Sequence, residues 1–427
     1  MFEPELETLE IEKLKSLQAE KVRRQIRYAY ENIPFYKKKF DEKGLDPDDI
    51  NSVEDVEKIP FTVKDDLRDH YPYGILAVSM DRILEFHSSS GTTGVPTVVS
   101  YTAKDVKVWS RLMARTFAAA GAKAGDIAQN AYGYGLFTGG MGFHYGALEL
   151  GCAVLPIASG NTRRQLKMMK DLKITILCAT PSYAMFLSEA AKEEGYNPSK
   201  DFNLKVALCG AEPWSEEMRK KIQERLGVKA YDCYGLSEIY GPGVAVECEQ
   251  QHGLHIWADE FYAEVIDPET GEVRQSGKSG ELVLTMLNRE AMPLLRYRTG
   301  DICEVNWDKC QCGRTHPRIM RVTGRSDDML IVRGMNIFPS QIEDILFGIP
   351  GIGSEYQIVV DRDILDFLMI KVELAEDFSG DRDALKNEAV KSLAAWVGVK
   401  AMVELLDYNT LPRAEGKAKR VVDLREK

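Results

Sequence analysis

Residues 88–97 read Ser-Ser-Ser-Gly-Thr-Thr-Gly-Val-Pro-Thr, with five hydroxyls and two glycines ahead of Val95. Glycine allows the tight turns that aim successive backbone N–H groups at one anion, and Ser and Thr add donors that rotate to fit. That composition suits the grip of a polyphosphate. The pattern GxxxxGK[ST] is not matched, because Val95 stands where its lysine would fall and the following residues read as strand. A Ser/Gly-rich hairpin would look the same in isolation, so the weight rests on the chemistry carried further along.

Four later segments carry it. In Tyr231-Asp232-Cys233-Tyr234-Gly235-Leu236-Ser237-Glu238, a carboxylate follows a glycine loop at the end of an apolar run. Such a group can hold Mg²⁺, which takes one or two carboxylates and otherwise phosphate or water oxygens. Tyr234 offers a flat face for a base. Tyr297-Arg298-Thr299-Gly300-Asp301 presents a turn-like carboxylate of the kind that grips ribose hydroxyls. Gly324-Arg325-Ser326-Asp327-Asp328 and Leu411–Arg420, with Lys417 on a glycine-flanked loop, add charge near glycine. A lysine there can reach a phosphate or carboxylate oxygen as a point charge. Taken singly, each is an ordinary turn or surface residue.

A metal-ligand set lies beside these. Cys310-Gln311-Cys312 and Cys248 supply three thiols, and Gln250-Gln251-His252-Gly253-Leu254-His255 supplies the imidazole of a Cys₃His set, a common structural zinc site. His255 is the preferred fourth ligand, with His252 the alternative. Free thiols are the competing reading, because the C-x-C spacing is tighter than usual. Cys303 reads as core, and His316 as a supporting or turn residue.

These residues need elements to position them. Leu14, Leu17, Val22, Ile26 and Ala29 mark an amphipathic helix over about 6–40, broken at Asn32-Ile33-Pro34. Thr62 with Asp65, and Thr102 with Asp105, read as helix N-caps. From Ile127 to Asp232 five apolar runs, at 127–132, 153–157, 174–178, 204–209 and 228–232, alternate in most cases with helical segments such as 162–172, 182–194 and 215–226. This predicts parallel strands with helices on both faces. Phe261–Ile266 and Glu281–Met286, around Asp267-Pro268-Glu269-Thr270-Gly271, read as antiparallel strands. Strands near 357–361, 367–374 and 402–406 with a helix near 382–396 form a smaller α+β unit. The predicted fold class is α/β: a large N-terminal body of mostly parallel sheet with a smaller β-subdomain over 1–325, then an α+β C-terminal domain over 326–427.

A net charge of −11 argues against nucleic acid or an anionic membrane as partner, while leaving room for a local basic site. The acidic start, MFEPELETLEIEKLK, has no apolar core of a secretory signal, and no run is long enough to span a bilayer. Eight scattered cysteines fit a reducing cytoplasm.

In their joint order the motifs SSSGTTG, YGLSE, YRTGD, GRSDD and GK-x-K-R resemble the adenylate-forming superfamily. Tyr134-Gly135-Leu136-Phe137-Thr138-Gly139-Gly140 and Gly210-Ala211-Glu212-Pro213-Trp214 resemble its phenylacetate–CoA ligase branch. The resemblance covers roughly residues 10–425. It implies that Ser90, Thr92, Thr93 and Gly94 wrap the ATP phosphates. Ala211, Glu212, Pro213, Asp232 and Tyr234, with Gly235, would frame the adenine. Ser237 and Glu238 would face the α-phosphate and Mg²⁺, and Asp301 the ribose, with Arg325 nearby. Asp327 would be a hinge and Lys417 the catalytic lysine. Tyr134, Phe137 and Gly210 would line an acyl pocket, with Tyr132 and Trp214 nearby favouring a flat ring. Many relatives carry a lysine where Val95 stands here. The implied reaction joins an aryl or arylacetic acid to CoA through an acyl-adenylate, with ATP, Mg²⁺, CoA and structural Zn²⁺ involved and a homodimer left open. A carrier-protein thiol is the alternative acceptor. A zinc-stabilised nucleotide sensor is the non-enzymatic reading, which the presence of both Lys417 and Glu238 disfavours.

Overall fold

The structure, a computed structural model, describes residues 1–89, 96–325, 330–332, 335–362, 366–397, 401–414 and 418–425. Ser90, Thr92, Thr93, Gly94 and Val95 lie outside the described residues, as do Asp327 and Lys417.

Helix α1 (Ile11–Asn32) buries Leu14, Val22, Ile26 and Ala29 along one face, while Leu17 is only partly covered. It stops where Pro34 cannot continue its hydrogen bonding, and that proline opens α2 (Pro34–Lys43) at the first turn, where no N–H is needed. Thr62 is not the cap expected of it. Its buried hydroxyl donates to the Leu295 carbonyl at 2.7 Å and lies 3.0 Å from Tyr36 Oη. The next helix, α3 (Lys64–Asp69), is capped instead by the Asp66 carboxylate, which accepts from Val63 N at 2.8 Å. Thr62 is consumed because its backbone pairs across to Tyr297.

Strands β1 (Ile83–Ser88) and β2 (Val98–Thr102) pair antiparallel on either side of the hydroxyl-rich loop. Thr102 then opens α4 (Ala103–Ala119) with a reciprocal cap: Asp105 N donates to Thr102 Oγ1 and Thr102 N to Asp105 Oδ2. Strand β3 (Ile127–Asn130), helix α5 (Thr138–Leu150), β4 (Ala153–Leu155), α6 (Thr162–Asp171), β5 (Ile176–Ala179), α7 (Pro181–Glu193), β6 (Val206–Gly210), α8 (Glu216–Leu226) and β7 (Lys229–Tyr234) follow in alternation. The five strands are parallel, ordered β4-β3-β5-β6-β7. β5 and β6 are buried along their whole length, as strands covered on both faces must be. Strands β8 (Ala245–Glu247) and β9 (Leu254–Ile256) extend this sheet antiparallel beside β7.

A second sheet holds β10 (Phe261–Ile266), β11 (Gly280–Met286) and β12 (Tyr297–Cys303). The Thr-Gly-Asp segment expected to turn lies inside β12. It makes a bulge where the register against β11 shifts, with Gly300 at φ +78°. β13 (Val305–Asn306) and β14 (Arg318–Ile319) return to β9 and complete a sheet of nine described strands. β15 (Gly324–Arg325) pairs with β12, setting Arg325 opposite Asp301.

The C-terminal residues form a hairpin of β16 (Leu330–Val332) and β17 (Met335–Ile337), then α9 (Pro339–Phe347). Beyond it lie β18 (Ile352–Arg362), β19 (Asp366–Leu374), α10 (Arg382–Val397), β20 (Ala401–Leu406) and β21 (Val421–Asp423). Their sheet runs β20-β19-β18-β21. One apolar core joins α7 and α8 to this unit, while the other lies under α1, α4 and the second sheet. Polar contacts cross the same junction. Glu343 Oε1 accepts from Ser215 N at 3.0 Å, Ser354 Oγ donates to Glu189 at 2.6 Å, and Ala418 N donates to Glu212 Oε2 at 3.0 Å.

Candidate active site and metal centre

The carboxyl ends of β6 and β7 organise the candidate site. Gly210 closes β6 so tightly on β7 that a β-carbon there would stand 2.4 Å from the Cys233 carbonyl oxygen, so the residue must be glycine. Ala211 follows in the left-handed region at φ +73°, and Glu212 is held by Ser182 N at 2.7 Å and by Ala418 N. Pro213 is exposed. At the end of β7, Asp232 is pushed up to about 7, by burial first and by the neighbouring Glu247 charge second. Glu247 accepts from Asp232 N at 2.8 Å and is paired with the Arg219 guanidinium. Neither Glu247 nor Arg219 carried a motif in the sequence.

Tyr234 turns its hydroxyl onto Asp301 Oδ2, and Arg325 Nη1 grips Asp301 Oδ1 at 3.0 Å. Gly235 is required because a β-carbon would meet Gly241 Cα at 2.6 Å. That close approach folds the loop back. Ser237 is half-buried and Glu238 is buried. Glu238 Oε1 lies 3.1 Å from Thr97 Oγ1, which itself is 2.8 Å from Ser89 Oγ. The Thr97 flank of the hydroxyl-rich loop therefore reaches this carboxylate, and the Ser89 flank is tied to it through Thr97. Lys64 Nζ stands 3.9 Å from Glu238 Oε1, a neighbour that no sequence signal marked.

Around the other side, Ser88 N donates to the Leu136 carbonyl at 2.9 Å, joining β1 to the Tyr134–Phe137 turn. Tyr134 Oη accepts from Asn130 Nδ2 at 2.7 Å and lies 3.1 Å from His144 Nδ1. Burial raises its phenol to about 12, so it remains a neutral donor or acceptor. Phe137 is half exposed. Tyr132 and Trp214 are packing residues: Tyr132 stacks on Phe143 at 4.6 Å, and Trp214 is covered by Arg219 at 4.8 Å.

The cysteines converge as well. Ligand atoms of Cys248, His255, Cys310 and Cys312 all lie within 4.8 Å of one another. Cys248 Sγ is 3.7 Å from Cys310 Sγ, and Cys312 Sγ is 3.5 Å from His255 Nε2. His255 Nδ1 faces the His316 carbonyl at 3.2 Å, which leaves Nε2 turned to the thiols. His252 is exposed and outside the group. Cys312 is held well below the ordinary thiol range by its hydrogen bond with Cys248, which is raised in turn by the same bond. Cys303 is core, and His316 binds the Leu6 carbonyl at 2.9 Å. Arg314, beside Cys312 at 3.5 Å, pairs with buried Glu7 at 2.8 Å, so the cysteine loop also pins the N-terminal segment.

The chain as a whole has counterparts among known proteins. Residues 5–286 match the family model described as AMP-binding enzyme, and residues 334–425 match that described as AMP-binding enzyme C-terminal domain. The chain is 48% identical to the phenylacetate-coenzyme A ligase of Thermus thermophilus, with 100% of each chain covered. It superposes with a TM-score of 0.94 and 32% identity on a 2-hydroxyisobutyryl-CoA ligase in its postadenylation state in complex with 2-HIB-AMP, covering 99% of this chain and 92% of that one. Against the same ligase in complex with 2-HIB-AMP and CoA in the thioesterification state, the TM-score is 0.74 at the same identity and coverage. At equal identity and coverage, this chain superposes more closely on the former. No described helix is long and apolar enough to cross a membrane. With both models matched in order and a full-length relative near half identity, this chain belongs to the AMP-binding enzyme family.

Proposed function

We infer that this protein is an ATP-dependent acid–CoA ligase that forms an acyl-adenylate and then a thioester, with a phenylacetate-like acid as substrate. The observation that carries the reading is the loop after β7. It ties Tyr234 to Asp301 at one end and sets Glu238 against Thr97 at the other. One short segment thus aligns a ribose-type carboxylate with a polyphosphate-type carboxylate, as a nucleotide lying across the strand ends requires. The name of the Thermus thermophilus relative supports CoA as acceptor and phenylacetate as the acid.

A carboxylate is a poor electrophile. In the first step its oxygen attacks the α-phosphorus of ATP and pyrophosphate leaves. In the second the CoA thiolate attacks the acyl carbon and AMP leaves. Glu238, buried and acceptor-rich, fits Mg²⁺, which would supply positive charge to the phosphates when bound. Ser90, Thr92, Thr93 and Gly94 donate to the phosphates, Ser237 to the α-phosphate, and Asp301 with Arg325 orders the ribose. Ala211, Glu212, Pro213, Asp232, Tyr234 and Gly235 border the adenine. Lys417 offsets the charge that builds only while phosphate is transferred. Tyr134, Phe137 and Gly210 border the acyl group. The division at 325/326 separates body from lid, and Asp327 is the hinge on which the lid turns between steps.

Zinc suits the cysteine cluster. Tetrahedral zinc with Zn–S of about 2.3 Å and Zn–N of about 2.0–2.1 Å would set sulfurs about 3.8 Å apart and sulfur to nitrogen about 3.6 Å. Two of the separations here are 3.7 Å and 3.5 Å, and all four ligand atoms lie within 4.8 Å of one another. The His316 carbonyl fixes the ring nitrogen that a metal-bound histidine leaves free.

The test is a panel of carboxylic acids incubated with ATP, Mg²⁺ and CoA, with AMP and thioester read by mass spectrometry. Arylacetic acids should yield both, in equal amounts. AMP release that needs no CoA, or thioester with none of the panel, would overturn the reading.

A further inference from the structure

Glu238 is a buried carboxylate. The segment from Ile83 to Ala103, which contains the entire hydroxyl-rich loop, has no lysine or arginine. Among the described residues, the ammonium brought to Glu238 is Lys64, at 3.9 Å from Oε1. Its side chain is 39% exposed whereas that of Glu238 is 6% exposed, so the lysine reaches inward from the solvent side.

The backbone beneath Lys64 is held firmly. Thr62 N donates to the Arg296 carbonyl at 3.0 Å, and Arg298 N donates to the Thr62 carbonyl at 2.9 Å, beside the start of β12. Asp66 accepts from Val63 N at 2.8 Å and pairs with Lys39 at 2.7 Å. α3 therefore hangs from the strand that carries Asp301, and its first residue points a four-carbon stem at Glu238. A separation of 3.9 Å is an ion pair without a close hydrogen bond. Thr97 takes the nearer place on the same oxygen, at 3.1 Å.

We propose that Lys64 is a polyphosphate-binding residue that exchanges partners. Before nucleotide binds, its ammonium balances Glu238. When Mg²⁺-nucleotide arrives and the carboxylate faces the metal, the ammonium swings onto a phosphate oxygen beyond it. Lysine suits this exchange because its charge is compact and its stem flexible, whereas a planar guanidinium would be committed to a bidentate partner. The proposal rests on the nucleotide-site reading given above and adds a second cation, besides Lys417, to that site.

Titration calorimetry of the full chain with Mg²⁺ and inorganic pyrophosphate, then with ATP, tests it. Lys64→Met should weaken both about tenfold to thirtyfold and raise KM for ATP by a similar factor, with KM for the acid moving far less. Lys64→Arg should recover only part of the loss. Thermal melting of each variant separates these effects from misfolding. The deciding comparison is made in a Glu238→Gln background. If Lys64 touches phosphate, removing it there still weakens pyrophosphate binding. If it serves only to balance Glu238, the loss disappears in that background and the proposal is overturned. Unchanged affinities in Lys64→Met overturn it as well. A wild-type protein that binds ATP but shows no acid-dependent exchange of pyrophosphate into ATP contradicts the ligase reading, while the calorimetric comparison still decides Lys64.

Discussion

The molecule carries two groups of ligand-type side chains, and they are finished differently. Cys248 follows β8 and His255 lies in β9, and with Cys310 and Cys312 they make a set of four that faces inward, three of them buried. Glu238, in the loop after β7, meets Thr97 and Lys64, and Asp301, in β12 of the second sheet, meets Tyr234 and Arg325. A closed tetrahedral set leaves no place for a substrate and belongs to structure. Carboxylates set beside hydroxyls and a flexible lysine can instead take a ligand's charge. The two groups should therefore fail in opposite ways.

The largest effect is expected on the open side. Glu238→Gln should lower acid-dependent pyrophosphate exchange by a thousandfold or more, a loss of about 4 kcal/mol in the transition state, with little change in melting temperature. Lys417→Ala should lose adenylation by several orders of magnitude, and far more than it loses thioester formation from supplied acyl-adenylate. If both half-reactions fall equally, the division of labour is wrong.

On the closed side the pattern reverses. Purified protein should carry about one equivalent of zinc. Cys310→Ser should lower metal content and melting temperature together, by at least about 5 °C, because metal binding adds to folding free energy. Metal-free protein with unchanged melting would break the contrast.

Asp301→Asn sharpens the comparison within the open group. It should raise KM for ATP about tenfold to a hundredfold while leaving kcat less affected, since a ribose contact serves binding of ground and transition states alike. A kcat loss matching that of Glu238→Gln would mean that the two carboxylates share one role.

The smallest effect concerns the junction to the C-terminal unit. Glu343 is raised to about 7, chiefly by burial, and its carboxyl meets Ser215 N and Tyr356 Oη. An acid raised on folding binds more protons folded than unfolded between its unfolded value near 4.5 and about 7. Stability should therefore fall as pH rises through that window. Glu343→Gln should flatten the dependence, gaining up to about 2–3 kcal/mol over wild type at pH 8 and almost nothing at pH 4. Parallel pH profiles for the two proteins would contradict the assignment.

The alternation from Ile127 to Tyr234 was legible because buried parallel strands are continuous apolar runs and their helices carry a 3.6-residue period. The reciprocal cap of Thr102 and Asp105 was legible for the same local reason. Thr62 was misread because a cap motif says nothing about a strand partner more than two hundred residues away. The Thr-Gly-Asp segment passed for a turn because a bulge uses the same glycine. Helix α9 and strand β21 gave too few residues to show a period. Among site residues, Glu238, Asp301 and the cysteines stand out by type and spacing. Lys64, Arg219 and Glu247 do not, because only the third dimension brings their charges to the site.

The most direct test of the ligase reading is exchange of labelled pyrophosphate into ATP by the zinc-loaded wild-type protein, with and without phenylacetate and without CoA. The account predicts exchange that depends on the acid and on Mg²⁺, and that is lost in Glu238→Gln but kept in Cys310→Ser at temperatures where that variant is folded. Exchange that survives Glu238→Gln, or none with any acid in a folded, zinc-loaded protein, would contradict it.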